Sequence, residues 1–214
     1  MVMSTGDAVT GTPVSKFSFV GGQLALDFAN TLSDRGTERP HERLAEYPDL
    51  VWWSFAAGLA GGRAARRLLA AAERRRVDAA AVLDRARELR EALHRAFTST
   101  AGGEIPAQSD LDQLNGELGR ALSKLELRPG AECCSLEFGG EDEALDRMLW
   151  SVTRAAVDLL TTPRLRRVKQ CASDTCDRVF VDDSRNHSRR WCEMRECGNR
   201  AKARLHYRKR AKQA

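Results

Sequence analysis

A chain of 214 residues and 23.8 kDa has room for one ordinary domain, or for one domain with a module of about 50 residues beside it. Thirty alanines and 24 leucines against one isoleucine and 12 valines favour helix, because Ala and Leu lose least on entering one while β-branched residues prefer strands, and an all-β fold is excluded. The net charge of +5 is an average over two unlike stretches: residues 164–214 carry 16 basic against 6 acidic side chains, +10, and residues 1–163 carry −5.

No apolar run approaches the ~18 residues of a membrane span, and Met1–Gly11 has neither the basic start nor the apolar centre of a signal peptide. The expected setting is cytoplasmic, with no membrane partner. Six cysteines there are expected to be reduced or metal-bound rather than disulfide-paired.

In chain order, residues 1–15 are expected to be a flexible N-terminus and residues 16–163 a mainly helical domain. Lys16–Val20 alternates around Phe17 and Phe19 and stops at Gly21-Gly22, which predicts a short strand and turn. Leu24–Leu32 could continue as strand or begin a helix, and helix is favoured because Gln23, Asp27 and Asn30 share one polar side at spacings of four and three. Tyr47-Pro48-Asp49 opens another, with Leu50, Trp53 and Ala57 in phase, ending near Gly58–Gly62. Arg63–Phe97 reads as one amphipathic helix with Val82, Leu83, Ala86, Leu89, Leu93 and Phe97 along its apolar stripe. Asp110–Leu122 is a further helix, capped by Ser109 or Asp110. Glu132–Phe138 reads as a strand, and Asp142–Leu160 as a helix with Leu145, Leu149, Val152, Ala156 and Leu159 on one face. The composition shift at Thr161-Thr162-Pro163 places a domain boundary near Pro163, since proline disfavours helix in the residue before it.

Within residues 1–163 no catalytic constellation emerges. Asp27, Asn30 and Thr31 could line a small polar ligand pocket, against the plainer reading as caps or solvated helix positions. Of the adjacent Trp52 and Trp53, pointing about 100° apart on a helix, one could stack on a ligand while at least one belongs to the core. Cys133 and Cys134 fall on a predicted strand and so face opposite sides, which suits neither to a shared metal. His41 and His94 lack a partner pattern and read as surface residues.

Cys171, Cys176, Cys192 and Cys197 follow the spacing C-x4-C-x15-C-x4-C. Two close pairs separated by a hairpin-length insert suit tetrahedral zinc, with four unrelated thiols as the alternative. Four protein ligands leave no open coordination position, so one structural Zn2+ per chain is expected. The tail has few large apolar side chains, and zinc would supply the stability its small core lacks. A loss of one cysteine is expected to unfold the tail and spare the helical domain.

Beyond Cys197 the residues favour helix. Met194, Gly198, Ala201 and Leu205 form a narrow apolar edge, and Arg200, Arg204, Arg208 and Lys212 recur every fourth position beside it. Like charges at that spacing repel, which an external polyanion such as nucleic acid explains, a solvated basic tail being the alternative. The candidate nucleic-acid contacts are Arg189, Arg190, Asn199, Arg200, Lys202, Arg204 and Arg208.

Trp191-Cys192 and the run Cys197-Gly198-Asn199-Arg200, behind Cys171, Cys176 and Val179-Phe180-Val181-Asp182, resemble the CGNR zinc finger. The run from Gly21-Gly22-Gln23 through Asp27-Phe28-Ala29-Asn30-Thr31 resembles the start of the ABATE domain that accompanies this finger in bacterial stress-induced transcriptional regulators. The resemblance implies zinc at the four cysteines and DNA as partner, with no catalytic residue. The fold expected is α+β: a mainly helical domain with a short antiparallel β element, then a small zinc module, a knuckle or hairpin plus a basic helix, over 164–214. The function expected is a DNA-binding regulator whose N-terminal domain senses a small-molecule effector or forms a homodimer. The alternative is a ligand-binding or enzymatic N-terminal domain with the finger as an RNA- or protein-binding accessory.

Overall fold

The computed structural model describes residues 13–130, 132–140 and 143–204; Arg208, the end of the expected basic helix and most of the N-terminal stretch 1–15 lie outside the described residues. A 3-10 turn, Pro13–Lys16, leads into an extended segment that pairs with no strand, so the strand expected over Lys16–Val20 is not formed. Side chains take its carbonyls instead: Arg43 Nε donates to Lys16 O at 3.0 Å and Arg189 to Val20 O at 3.2 Å. The glycine turn is real. A Cβ on Gly21 would stand 2.8 Å from that of Leu26, and Gly22 has φ +71°, so both positions need glycine.

Helix α1, Leu24–Ala29, is buried on nearly all sides and stops three residues short of the expected Leu32, where β1, Leu32–Ser33, pairs antiparallel with β2, His41–Glu42. Helix α2, Tyr47–Ala56, starts with a reciprocal cap between Glu46 and Asp49 and a proline in its first turn. The single helix expected over Arg63–Phe97 is two, α3 (Gly62–Arg74) and α4 (Arg76–Ala101), broken at Arg75 with φ −125° and ψ 52°. No Gly or Pro marks the break. α3 packs mainly on α2, while α4 reaches α2 as well and packs chiefly on α1 and on α5 (Gln108–Leu122). All six stripe residues of α4 are buried.

Helix α5 has Ala107 rather than Ser109 or Asp110 at its cap, because the Asp110 carboxylate turns inward to accept from Arg95 of α4 at 2.6 and 2.9 Å. The strand expected over Glu132–Phe138 begins later, at Ser135. It is β4, Ser135–Phe138, paired antiparallel with β3, Leu125–Arg128, and Cys133 and Cys134 lie exposed ahead of it. Helix α6, Arg147–Leu160, buries all five expected residues or holds them at its approach. The architecture is thus mainly helical with short antiparallel strand pairs, and no helix among the described residues is long and apolar enough to cross a membrane.

After a 3-10 turn, Pro163–Arg167, the strands β5 (Val168–Gln170) and β6 (Val179–Val181) form an antiparallel hairpin with Val168 opposite Val181. Val168, Val179 and Val181 belong to the same buried cluster as the helices, while Phe180 faces the other way, toward Cys171, Cys192 and Cys197. The alternation of one short strand thus serves both cores.

Candidate metal centre and nucleic-acid interface

The hairpin and the chain that follows it bring the four predicted cysteines together. Cys171 leaves β5 with its N–H on Arg178 O at 2.9 Å, and a turn closed by Cys176 N–H on Ser173 O at 3.0 Å presents the second thiol. Ala172 N–H bonds Arg190 O at 2.8 Å, which lays the segment Arg190–Cys192 alongside, and a π-helical turn, Met194–Gly198, supplies Cys197. The four Sγ atoms lie within 4.8 Å of one another, with Cys176–Cys192 at 3.7 Å and Cys192–Cys197 at 3.6 Å. A regular tetrahedron with ~2.3 Å zinc–sulfur bonds has edges of ~3.8 Å.

The protonation pattern also fits a cation. Bonds from the Cys176 thiol and then from Cys192 hold the Cys171 sulfur well below the usual thiol range, at about 2. Cys176 is pushed up to about 12 by its bond to Cys171, and Cys192 is raised by Cys171 and Cys176. The cluster by itself accommodates one thiolate and resists the next. A divalent cation at the centre removes that conflict, and the four cysteines are the ligand set of one structural zinc. Cys192 N–H approaches Cys171 Sγ at 3.4 Å, and the buried Arg178 faces Glu196 at 3.6 Å, with the charge it carries favoured by the neighbouring Cys192.

The cluster is fastened to the helical body by buried polar contacts. Asn30 places its amide against β6, Nδ2 donating to Val179 O at 2.8 Å and Oδ1 accepting from Val179 N–H at 2.9 Å. Asp177, next to Cys176, accepts from Asp34 N–H at 2.7 Å and from the Arg35 guanidinium at 2.9 Å. Asp34 has φ +61°, a conformation costly for a residue with a side chain, and this bond helps to hold it. Arg35 also reaches Glu91 of α4 at 2.9 Å and Ala29 O at 2.8 Å. Burial would raise the Asp177 carboxyl, but Arg35 outweighs it and the group is held below its usual range.

His94 is not the surface residue expected. It is buried on α4, its Nε2–H donates to Asp177 O at 2.8 Å, and burial together with Arg35 holds its pKa down, so the ring is neutral near pH 7. His41 is exposed and faces Asp34 at 2.9 Å. Asp27 and Thr31, like Asn30, are buried and turned to protein groups rather than open to a ligand: Asp27 accepts from Gly21 N–H at 2.7 Å and Thr31 donates to Phe28 O at 2.7 Å. Burial pushes the Asp27 carboxyl up to about 6, against the Gly21 bond. Of the two tryptophans, Trp53 is core and Trp52 is half-buried.

The expected nucleic-acid contacts divide. Arg189 faces inward, its guanidinium 4.3 Å from the Phe180 ring centroid and donating to the carbonyls of Val20, Trp191 and Cys192, so this arginine is structural. Arg190 is exposed and lies 5.5 Å over Trp191. Residues 199–204 are helical, with Asn199, Arg200 and Lys202 exposed. Asn199 Nδ2 donates to Arg195 O at 3.0 Å, Arg200 to Thr175 Oγ1 at 2.9 Å, and Arg204 faces Asp174 at 3.2 Å.

Residue-by-residue reading missed Asp177, Arg35 and Asp182. Asp182 is fully buried; burial would raise its carboxyl, but Lys169 at 2.6 Å, Ser184 and the Arg189 N–H hold it far below the carboxylate range. The Asp182-Asp183-Ser184 run was a legible signal, since a carboxylate two residues ahead of a serine commonly closes a turn onto its own backbone. Nothing local marked Arg35 or Asp177.

A family model named ABATE, with the description "Putative stress-induced transcription regulator", matches residues 22–163, and a CGNR zinc finger model matches residues 167–210. No curated protein matches the chain.

Proposed function

The chain belongs to the ABATE family and carries a CGNR zinc finger, and from that premise we propose that it is a cytoplasmic, DNA-binding transcriptional regulator rather than an enzyme. The observation that carries this reading is the surface of the zinc module: Arg190 and the start of a helix bearing Arg200 and Lys202 stand exposed on a frame fixed by the four sulfurs, in a segment of charge +10. Arg190, Arg200, Lys202, Arg204 and Arg208 then serve as phosphate contacts. The bonds that hold Arg200 and Arg204 are on the surface and weak, so a phosphate can replace them. Asn199 sits among them with its amide bonded to its own helix, a cap rather than a base reader. The helical body is the sensing or dimerising part.

Titration of zinc-loaded protein against duplex DNA at several salt concentrations tests the reading. About five phosphate contacts give a log–log slope near −4.5. Recovery of a common motif from bound genomic fragments separates a sequence-specific regulator from a non-specific binder, and zinc-loaded protein that retains no DNA rejects the proposal.

A further inference from the structure

A cavity of about 670 Å3 opens between α2 and the α3–α4 junction, and no residue of the zinc module lines it. Its walls are mostly apolar, with Trp52, Tyr47, Leu69 and Leu83 among them, and it has the size and apolar character of a small-molecule site. Trp52 is the tryptophan that the core leaves half-exposed, standing edge-on to Phe55 with ring centroids 6.2 Å apart. The Tyr47 hydroxyl is already spent on Leu145 O at 2.8 Å, so the tyrosine offers the groove only its ring.

The rim carries charges of both signs, and an indole that shares the groove with a free carboxylate is what favours a cation. Glu46 and Glu73 stand against a single cation, Arg76. Glu46 is engaged in capping α2 through the Asp49 N–H. Glu73 and Arg76 are both exposed, and neither has a hydrogen bond or ion pair among the described residues. An indole face beside an unpaired carboxylate, over an apolar floor, is the combination that recognises an organic ammonium ion: the ring quadrupole and the carboxylate attract the charge, and the floor covers the hydrocarbon.

We propose that the groove between α2 and the α3–α4 junction binds a small hydrophobic organic cation, with Trp52 against the ammonium group and Glu73 pairing with it. This deepens the regulator reading, on which it rests for its purpose, by giving the helical body an effector class.

Benzyltrimethylammonium is a suitable probe, and phenylacetate is its counterpart of opposite charge. With zinc-loaded full chain, the cation should raise the melting temperature and quench tryptophan fluorescence saturably, with binding weakened about tenfold in Glu73→Gln and likewise in Trp52→Leu. Glu73→Gln changes only a surface carboxyl and keeps the test sound should Trp52→Leu disturb the helix. Phenylacetate binding as well as or better than the cation would overturn the proposal and assign the rim to Arg76. No saturable cation binding, or binding unchanged in Glu73→Gln, would also overturn it. DNA retention measured on the same samples separates the two readings: cation binding without DNA binding breaks the regulator reading alone, and the reverse breaks this one alone.

Discussion

The helical body and the zinc module are held together by different forces. In the body, α4 buries a periodic apolar stripe against α1 and α5, and burial of large side chains such as Phe28, Trp53, Phe97 and Trp150 supplies the stability. The module has a small apolar centre around Phe180, and its order comes from four sulfurs, the inward Arg189 and the Asp182 turn. Apolar periodicity tolerates substitution of one member by another of similar size, whereas a ligand or a buried ion has no substitute. The seam between them, built from Asn30, Arg35 and Asp177, makes the second kind of region a condition for the first.

The sharpest way to break that contrast is to remove zinc, by chelation or by Cys197→Ala. Zinc content should fall to near zero, and because Val168, Val179 and Val181 share the body's core, the helices should melt on the order of 10 °C lower as well. An unchanged helical melt by circular dichroism would mean that the body stands alone, as the charge split along the chain first suggests. Next in size is Asn30→Ala, which strips both partners from the Val179 peptide and leaves its buried N–H and C=O unpaired. A loss of about 3 kcal/mol follows, with faster zinc release to a chelator.

A smaller effect tests the body by itself. With its pKa raised to about 6 by burial, Asp27 is protonated in the folded chain over a range where the unfolded chain has already ionised. Folding therefore loses stability as pH rises from about 4 to 6, by about 2 kcal/mol, and Asp27→Asn should flatten that part of the pH–stability curve relative to the parent. Smallest of all, Arg190→Ala should weaken DNA binding and reduce the salt slope by about 1 without moving the melting temperature, whereas Arg189→Ala should lower the melting temperature.

What was legible in the sequence follows the same division. The stripe of α4, the start of α2 and the four ligands are written in spacing, because helix period and metal geometry are both local rules. The break at Arg75 has no such local mark, since neither Gly nor Pro stands there. β3 was readable, for Leu125 and Leu127 alternate with Glu126 and Arg128. Arg189 and Arg190 are chemically identical neighbours, and only the position of Phe180 decides that the first turns inward. Asn30 reads as the polar side of a short helix; its partner is 149 residues away, and no window of sequence contains both.

That separation carries a consequence for synthesis. A chain emerging from the ribosome presents Asn30 and the Gly21 carbonyl long before β6 exists, and the contacts that satisfy them close loops spanning most of the protein. The stretch that captures metal is translated after the helices it docks against. Closing of the helical core therefore waits for β6, whose valines fill it from a segment made after α6.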